Sequence, residues 1–362
     1  MTYSTNHLIR QNKLSKLTLL GLLLSLFLLS GCASLIWLSA EPFLRTVSTK
    51  TAVIKTQPVT EIPLRAPLNN RRAELSGLAW YGDHLILLPQ WPEHVGNQLF
   101  YLNKADIVNF LTGKRKQPLT PQPIRFVNGN LADQIQGFDG YESIAFAGDQ
   151  VFLTIEAKPG KAMLSHLIAG EIAPDLSELR LDNTHLADIQ PQTDIDNLGE
   201  EAMLLVGDRV ITIYEANSLL VNREPVAHVF DHALNSLGTL PFADYPYRIT
   251  DVTPLDSANR FWAINYFFPG DKQLSQRLGI KGFAVRALTQ DQPIERLVEF
   301  EYTPTGIKLV NTPPITLELL DKNVGRNWEG IARLEAAGLD GFLLVTDYYP
   351  ETIFAFVAKP KE

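Results

Sequence analysis

The chain has 362 residues, 45% of them hydrophobic and 20% charged, with a formal net charge of −8. That is ordinary globular composition, long enough for one large domain or two small ones, and the acid surplus argues against a nucleic-acid partner. With 23 Gly, 23 Pro and no capped amphipathic helix beyond about three turns, the pattern is one of short strands and many turns.

The first element in the chain is a targeting segment. Arg10, Lys13 and Lys16 form a basic stretch without acids, followed by the apolar run LTLLGLLLSLFLLS, the length expected of a secretory signal. It ends in Leu29-Ser30-Gly31-Cys32, and Cys32 is the one cysteine of the chain. This quartet resembles the lipobox of bacterial lipoproteins, which implies cleavage after residue 31, diacylation of the Cys32 thiol, and a tether over residues 32–54. Ala33, not Asp, after the cysteine implies sorting to the outer membrane, facing the periplasm. An uncleaved anchor is the alternative, because Ala33–Leu38 stays apolar. Cleavage removes three basic residues and no acid, taking the net charge to −11. With its cysteine acylated the domain has no disulfide and must stand on its core.

From residue 55 onward the chain repeats itself. Ser76-Gly77-Leu78-Ala79-Trp80 leads through Gly82-Asp83 to LILLPQ, ending at Gln90. Glu142-Ser143-Ile144-Ala145-Phe146 leads through Gly148-Asp149 to Glu156. Glu201-Ala202-Met203-Leu204-Leu205 leads through Gly207-Asp208 to Glu215. Asp251-Val252-Thr253-Pro254-Leu255 leads to FWAIN and Asn265, and Glu329-Gly330-Ile331-Ala332 to FLLVT and Asp347. The polar pair is fourteen residues apart in four copies and eighteen in the fifth, which implies a longer turn there. Gly-Asp between apolar runs is a hairpin signal, and strands apolar at nearly every position are buried on both faces. Further strand-like runs follow each hairpin. After the fifth comes only TIFAFVAKP, one strand short, and VTEIPL (Val59–Leu64) can supply the missing strand.

The expected fold is therefore an all-β, five-bladed β-propeller with four-stranded blades, closed by N- and C-terminal strands over residues 55–362. A sixth blade has room only in the 266–328 interval. A β-sandwich is the rival, opposed by five aligned hairpins with matching polar ends.

In a propeller the first strand of each blade lines the channel, so Ser76, Glu142, Glu201, Asp251 and Glu329 are expected to form one ring at one mouth. Gln90, Glu156, Glu215, Asn265 and Asp347 surround it. Carboxylates packed this closely need a counter-charge. Oxygen donors without His or Cys suit Ca²⁺, which accepts six to eight of them in loose geometry. The first ring is read as metal ligands. Arg72, Arg248 and Arg326 lie three or four residues upstream of ring positions; with Gln90 and Asn265 they are expected to hold a phosphate or carboxylate above the ion. Trp80, Trp91, Trp262 and Trp328 are assigned to the core, and Tyr348 and Tyr349 to a pocket wall.

Asn327-Trp328-Glu329-Gly330-Ile331-Ala332 followed by LLVTD resembles the last blade of the bacterial esterase-like phytase propellers. Glu74-Leu75-Ser76-Gly77-Leu78-Ala79 resembles their opening blade and that of the calcium-activated nucleotidases (apyrases). The resemblance covers the five inner hairpins and implies a calcium-dependent propeller that hydrolyses phosphoesters or phosphoanhydrides. The chain departs from it at Asp251-Val252-Thr253-Pro254, and at Ser76 and Gln90, where acids are expected. The leading expectation is calcium-dependent hydrolysis of a phosphorylated small molecule, with Glu156, Glu215 or Asp347 as general base toward a metal-bound water. The alternative is a non-catalytic scaffold or binding lipoprotein of the envelope, with a protein partner there and a structural calcium.

Overall fold

The computed structural model describes residues 55–195, 197–269, 292–321 and 324–361. The signal segment and tether expected over residues 1–54, Cys32 included, lie outside the described residues.

After a lone strand β1 (Val59–Glu61), four-stranded antiparallel units follow one another. The first holds β2 (Leu75–Tyr81), β3 (His84–Pro89), β4 (Gln98–Asn103) and β5 (Gln122–Val127). The second holds β6 (Phe138–Ala147), β7 (Gln150–Ala157), β8 (Leu164–Ile172) and β9 (Glu178–Ile189). The third holds β10 (Glu200–Val206), β11 (Arg209–Tyr214), β12 (Val226–Asp231) and β13 (Ser236–Pro241). The fourth holds β14 (Arg248–Val252), β15 (Arg260–Phe267), β16 (Ile294–Thr303) and β17 (Gly306–Leu309), with the short β18 (Ile315–Thr316) also on β16. The fifth has β19 (Trp328–Ala336), β20 (Leu339–Thr346) and β21 (Phe354–Ala358), and β1 pairs antiparallel with β21 as its outer strand. The first strands neighbour one another in a closed ring, β2 to β6 to β10 to β14 to β19 and back to β2. This is a β-propeller, with five blades among the described residues. The described strands of the 266–328 interval all belong to the fourth.

The core explains why the inner strands are apolar on both faces. One apolar cluster fills each gap between neighbouring blades. Leu78, Leu87 and Phe100 meet Leu343 and Phe356 between the fifth and first. Ile86 and Leu99 meet Tyr141 and Leu153 between the first and second. Phe152 and Leu167 meet Met203 and Phe230 between the second and third. The two remaining gaps are filled by Ile211 with Phe261 and Phe300, and by Trp262 and Ile264 with Trp328 and Leu344. Each such side chain contributes about 1.5–3 kcal/mol by leaving water, so each sheet is stabilised from two sides.

Gly82, Gly148 and Gly207 take φ of +57°, +64° and +63°, the left-handed backbone that a two-residue hairpin turn requires. The expected longer turn of the fifth hairpin is corrected. Ala336 pairs with Leu339 across two turn residues, and the extra spacing comes from longer strands. Two outer strands escaped the sequence reading, β13 and β17. Both are short, β13 almost wholly exposed and β17 half so, and neither has the apolar run that marks the others. The outer strands β5 and β9 pair in parallel, joining the first two blades into one eight-stranded sheet.

Candidate functional site

Every inner strand breaks register with its hairpin partner, and in each strand one break holds a ring residue. The shifts lie between Leu75 and Gly77, Tyr141 and Ile144, Glu200 and Ala202, Ile249 and Val252, and Trp328 and Gly330. They bracket Ser76, Glu142, Glu201, Asp251 and Glu329. A β-bulge leaves one residue unpaired and re-aims its side chain, so a polar residue can leave a strand whose two faces are both packed.

The second set stands one step further out. Gln90, Glu215 and Asp347 donate their backbone N–H to the carbonyls of Glu74, Gly199 and Asn327. Glu156 pairs with Gly140, and Asn265 with Ile249. Each partner thus lies opposite the residue two before the ring residue, and the polar pairs form two tiers.

Four blades deliver both tiers to one cavity of about 560 Å³. Ser76, Glu142, Glu201 and Glu329 line it with Gln90, Glu156, Glu215 and Asp347. The fourth blade does not. The carboxylate of Asp251 accepts from the backbone N–H of Val252 and of Ile331, both at 2.8 Å, and from that of Leu78. It ties the fourth inner strand to the fifth and first and lies outside the cavity lining, contrary to its expected place among the metal ligands. Asn265 is fully buried. Its Nδ2 donates to the carbonyls of Pro246 and Arg248, and its Oδ1 accepts from Arg296 Nε at 2.7 Å. In place of this pair the fourth blade presents Arg248, Tyr266 and Phe268.

Of the three arginines only Arg248 reaches the mouth, where Nη1 donates to Glu215 Oε1 at 2.5 Å. Arg326 is 3% exposed and forked onto Glu295, which also accepts from Trp328 Nε1 at 2.6 Å. Arg72 is exposed and does not line the cavity. Sequence offset fixed where these residues enter the chain but not where their side chains go. Trp91, assigned to the core, lines the cavity with Tyr349, while Tyr348 carries Arg71 over its ring at 3.7 Å. Asp139, Asn197 and Asn327 also line it; their signal was their place, two to four residues before a ring position in the repeat.

The electrostatics follow from crowding. Burial pushes Glu142 up to about 8, against a hydrogen bond from Gln90 and with the charge of Asp347 adding to it. Burial also raises Glu156, Glu201, Glu329 and Asp347. For the three glutamates the neighbouring carboxylates add to the effect. Ser76 donates to the Tyr141 carbonyl at 2.5 Å, and Gln90 Nε2 donates to Glu142 Oε1 at 2.9 Å. Glu156 Oε1, Glu329 Oε2 and Asp347 Oδ1 are buried with no hydrogen-bond partner, an arrangement that is expensive unless a cation or donor meets them. Among the described residues no group of three or more His, Cys, Asp or Glu converges as it stands on a single metal position.

No protein-family model matches the chain, and no curated protein matches it in sequence. Among solved structures it is similar to the glutaminyl cyclase of Myxococcus xanthus, at 10% identity and a TM-score of 0.41 over 85% of this chain and 100% of that one. A thermostable family-43 glycoside hydrolase aligns at 8% identity and 0.48, over 84% and 94%. The catalytic domain of an α-L-arabinofuranosidase of Coprinopsis cinerea aligns at 6% and 0.44, over 84% and 96%. Likeness at this level does not reach chemistry.

Proposed function

We propose that the acidic mouth binds Ca²⁺ and hydrolyses a phosphorylated small molecule there, as the resemblance to esterase-like phytases and calcium-activated nucleotidases implies. The observation that supports this most is the set of bulges that turn Glu142, Glu201 and Glu329 into one cavity beside Glu156 and Asp347. Their donors are all oxygens, which suits a hard cation. Bound calcium would supply Lewis acidity at a phosphoryl oxygen and the charge that lets the carboxylates ionise together. Ser76, Glu142, Glu201 and Glu329 are the residues that would hold it, once the side chains close on a common point.

Glu156 is the best placed general base, since it lines the cavity and its Oε1 is buried and unpartnered. A carboxylate with a raised proton affinity takes a proton from water more readily than an ordinary one. Arg248 and Gln90 are left to orient the phosphate. A second reading, a binding protein whose calcium is structural, is favoured by the loss of Arg72 and Arg326 from the mouth. The same proposal makes the chain a lipoprotein of the bacterial envelope, anchored through Cys32 in the outer membrane. Its support is the basic and apolar run before Leu29-Ser30-Gly31-Cys32.

The test is elemental analysis of the purified full-length protein for calcium, followed by a phosphoester screen with and without chelator. Stoichiometric calcium and chelator-sensitive turnover that Glu156→Gln reduces by two orders of magnitude or more are expected. Calcium without turnover would leave the structural reading. Absence of calcium would remove both.

A further inference from the structure

Among the described residues, three carboxylate oxygens at the mouth meet no hydrogen-bond donor. Glu156 is 6% exposed, and its Oε1 accepts nothing; nor do Glu329 Oε2 and Asp347 Oδ1. Three donors of the lining already meet other oxygens there, Arg248 on Glu215, Gln90 on Glu142 and Asn327 on Asp347 Oδ2. Beyond a proton or a water, a buried acceptor in this state can be met by an N–H brought in from outside or by a metal ion.

A second and independent feature separates those two. Trp91, Tyr266, Phe268 and Tyr349 line the same cavity, supplied by the first, fourth and fifth blades, while the second and third supply the Glu156 and Glu215 side. Three aromatic residues are exposed among the described residues, Phe268 at 48%, Tyr348 at 45% and Tyr349 at 43%. All three follow strands that end at this mouth. A Ca²⁺ ion enclosed by its oxygen ligands gains little from aromatic faces on the rim. An ammonium group on a methylene chain gains twice, by attraction to the ring faces and by packing of the CH₂ groups. The chain already makes one such contact at this rim, where Arg71 lies over Tyr348. A volume of about 560 Å³ is that of a small-molecule site.

We propose that the mouth binds a linear di- or polyamine, whose ammonium N–H groups meet Glu156, Glu329 and Asp347 and whose methylene stems lie against Phe268 and Tyr349. The amine and calcium then compete for the same carboxylates. This rests on the cavity being a cation site and on nothing in the catalytic reading. It also sets an order among ligands. A quaternary ammonium ion has charge but no N–H, so it leaves the three oxygens unmet.

The experiment is isothermal titration calorimetry on the full-length protein in detergent, with spermidine, tetramethylammonium and calcium titrated separately. Saturable one-to-one binding of spermidine is expected, with tetramethylammonium at least tenfold weaker. Glu156→Gln should weaken spermidine at least tenfold. Phe268→Ala, at an exposed rim position, should weaken spermidine several-fold and leave calcium unchanged. Calcium binding without spermidine binding would overturn the proposal and leave the calcium reading standing. Spermidine binding without calcium binding would do the reverse. Spermidine binding that neither variant alters would place the amine elsewhere and overturn the proposal as well.

Discussion

Gly199 shows how tightly the mouth is drawn at single positions. A Cβ built there would stand 1.8 Å from Glu156 Oε1 and 2.9 Å from Ser165 Oγ. The carboxylate occupies the space a side chain would take. Gly199→Ala is therefore expected to push Glu156 out of place, with a stability loss of about 1–3 kcal/mol from overpacking. Cation affinity measured by calorimetry should fall by tenfold or more; unchanged affinity would mean Glu156 plays no part. Arg326 is a contrasting case. Its partner Glu295 is buried and forked onto it, so Arg326→Ala should cost about 3–5 kcal/mol in chemical denaturation by stranding a buried charge. Ligand binding at the mouth should survive in whatever fraction folds. The sequence offered no way to separate Arg326 from Arg248. Both stand three residues before a ring position, and the residue that captures Arg326 lies on a strand 31 positions earlier.

At the level of strands, much of the repeat was legible and its most consequential detail was not. Hairpins announce themselves through Gly-Asp turns and doubly apolar runs, because both faces of an inner strand are packed. The closing strand was readable as a deficit, since the last blade lacks one. Bulges have no such signature. An extra residue in a run apolar on both sides disturbs no alternation, so nothing in the spacing marks where Ser76, Glu142, Glu201, Asp251 and Glu329 leave the ladder. The fourth blade shows the consequence. Asp251 has the right position and a bulge around it, yet its oxygens go to backbone N–H groups of two other blades. Asp251→Ala should lower stability by at least about 2 kcal/mol, from buried N–H groups left unmet, with mouth affinity little changed. A variant as stable as the parent that no longer binds cation would restore Asp251 to the ligand set.

Over the whole molecule the crowded carboxylates dictate how stability follows pH. Glu142 is raised from 4.5 to about 8, and Glu156, Glu201, Glu329 and Asp347 are raised as well. The folded chain holds protons that the unfolded chain releases. Their contribution is full below the ordinary carboxylate range and lost as pH climbs through the raised values. The cation-free protein is thus expected to melt at falling temperatures as pH rises from 4.5 to about 8, opposite to the usual gain of stability on leaving acid. Added calcium should restore most at the upper end. A flat or rising profile in the presence of chelator would show that the cluster does not hold its protons. The closure of the ring has a mechanical corollary. β1 meets β21 through three residue pairs, Val59 with Val357, Thr60 with Phe356 and Glu61 with Ala355. The backbone before Val59 and the backbone after Ala358 depart from the same end of that ladder. A pull that separates them first opens the lone bridge from Gln57 to Leu317 and then loads the rungs one at a time, as in unzipping. Under tension the ring comes undone at this three-rung seam, at a force set by single rungs and not by the five packed cores.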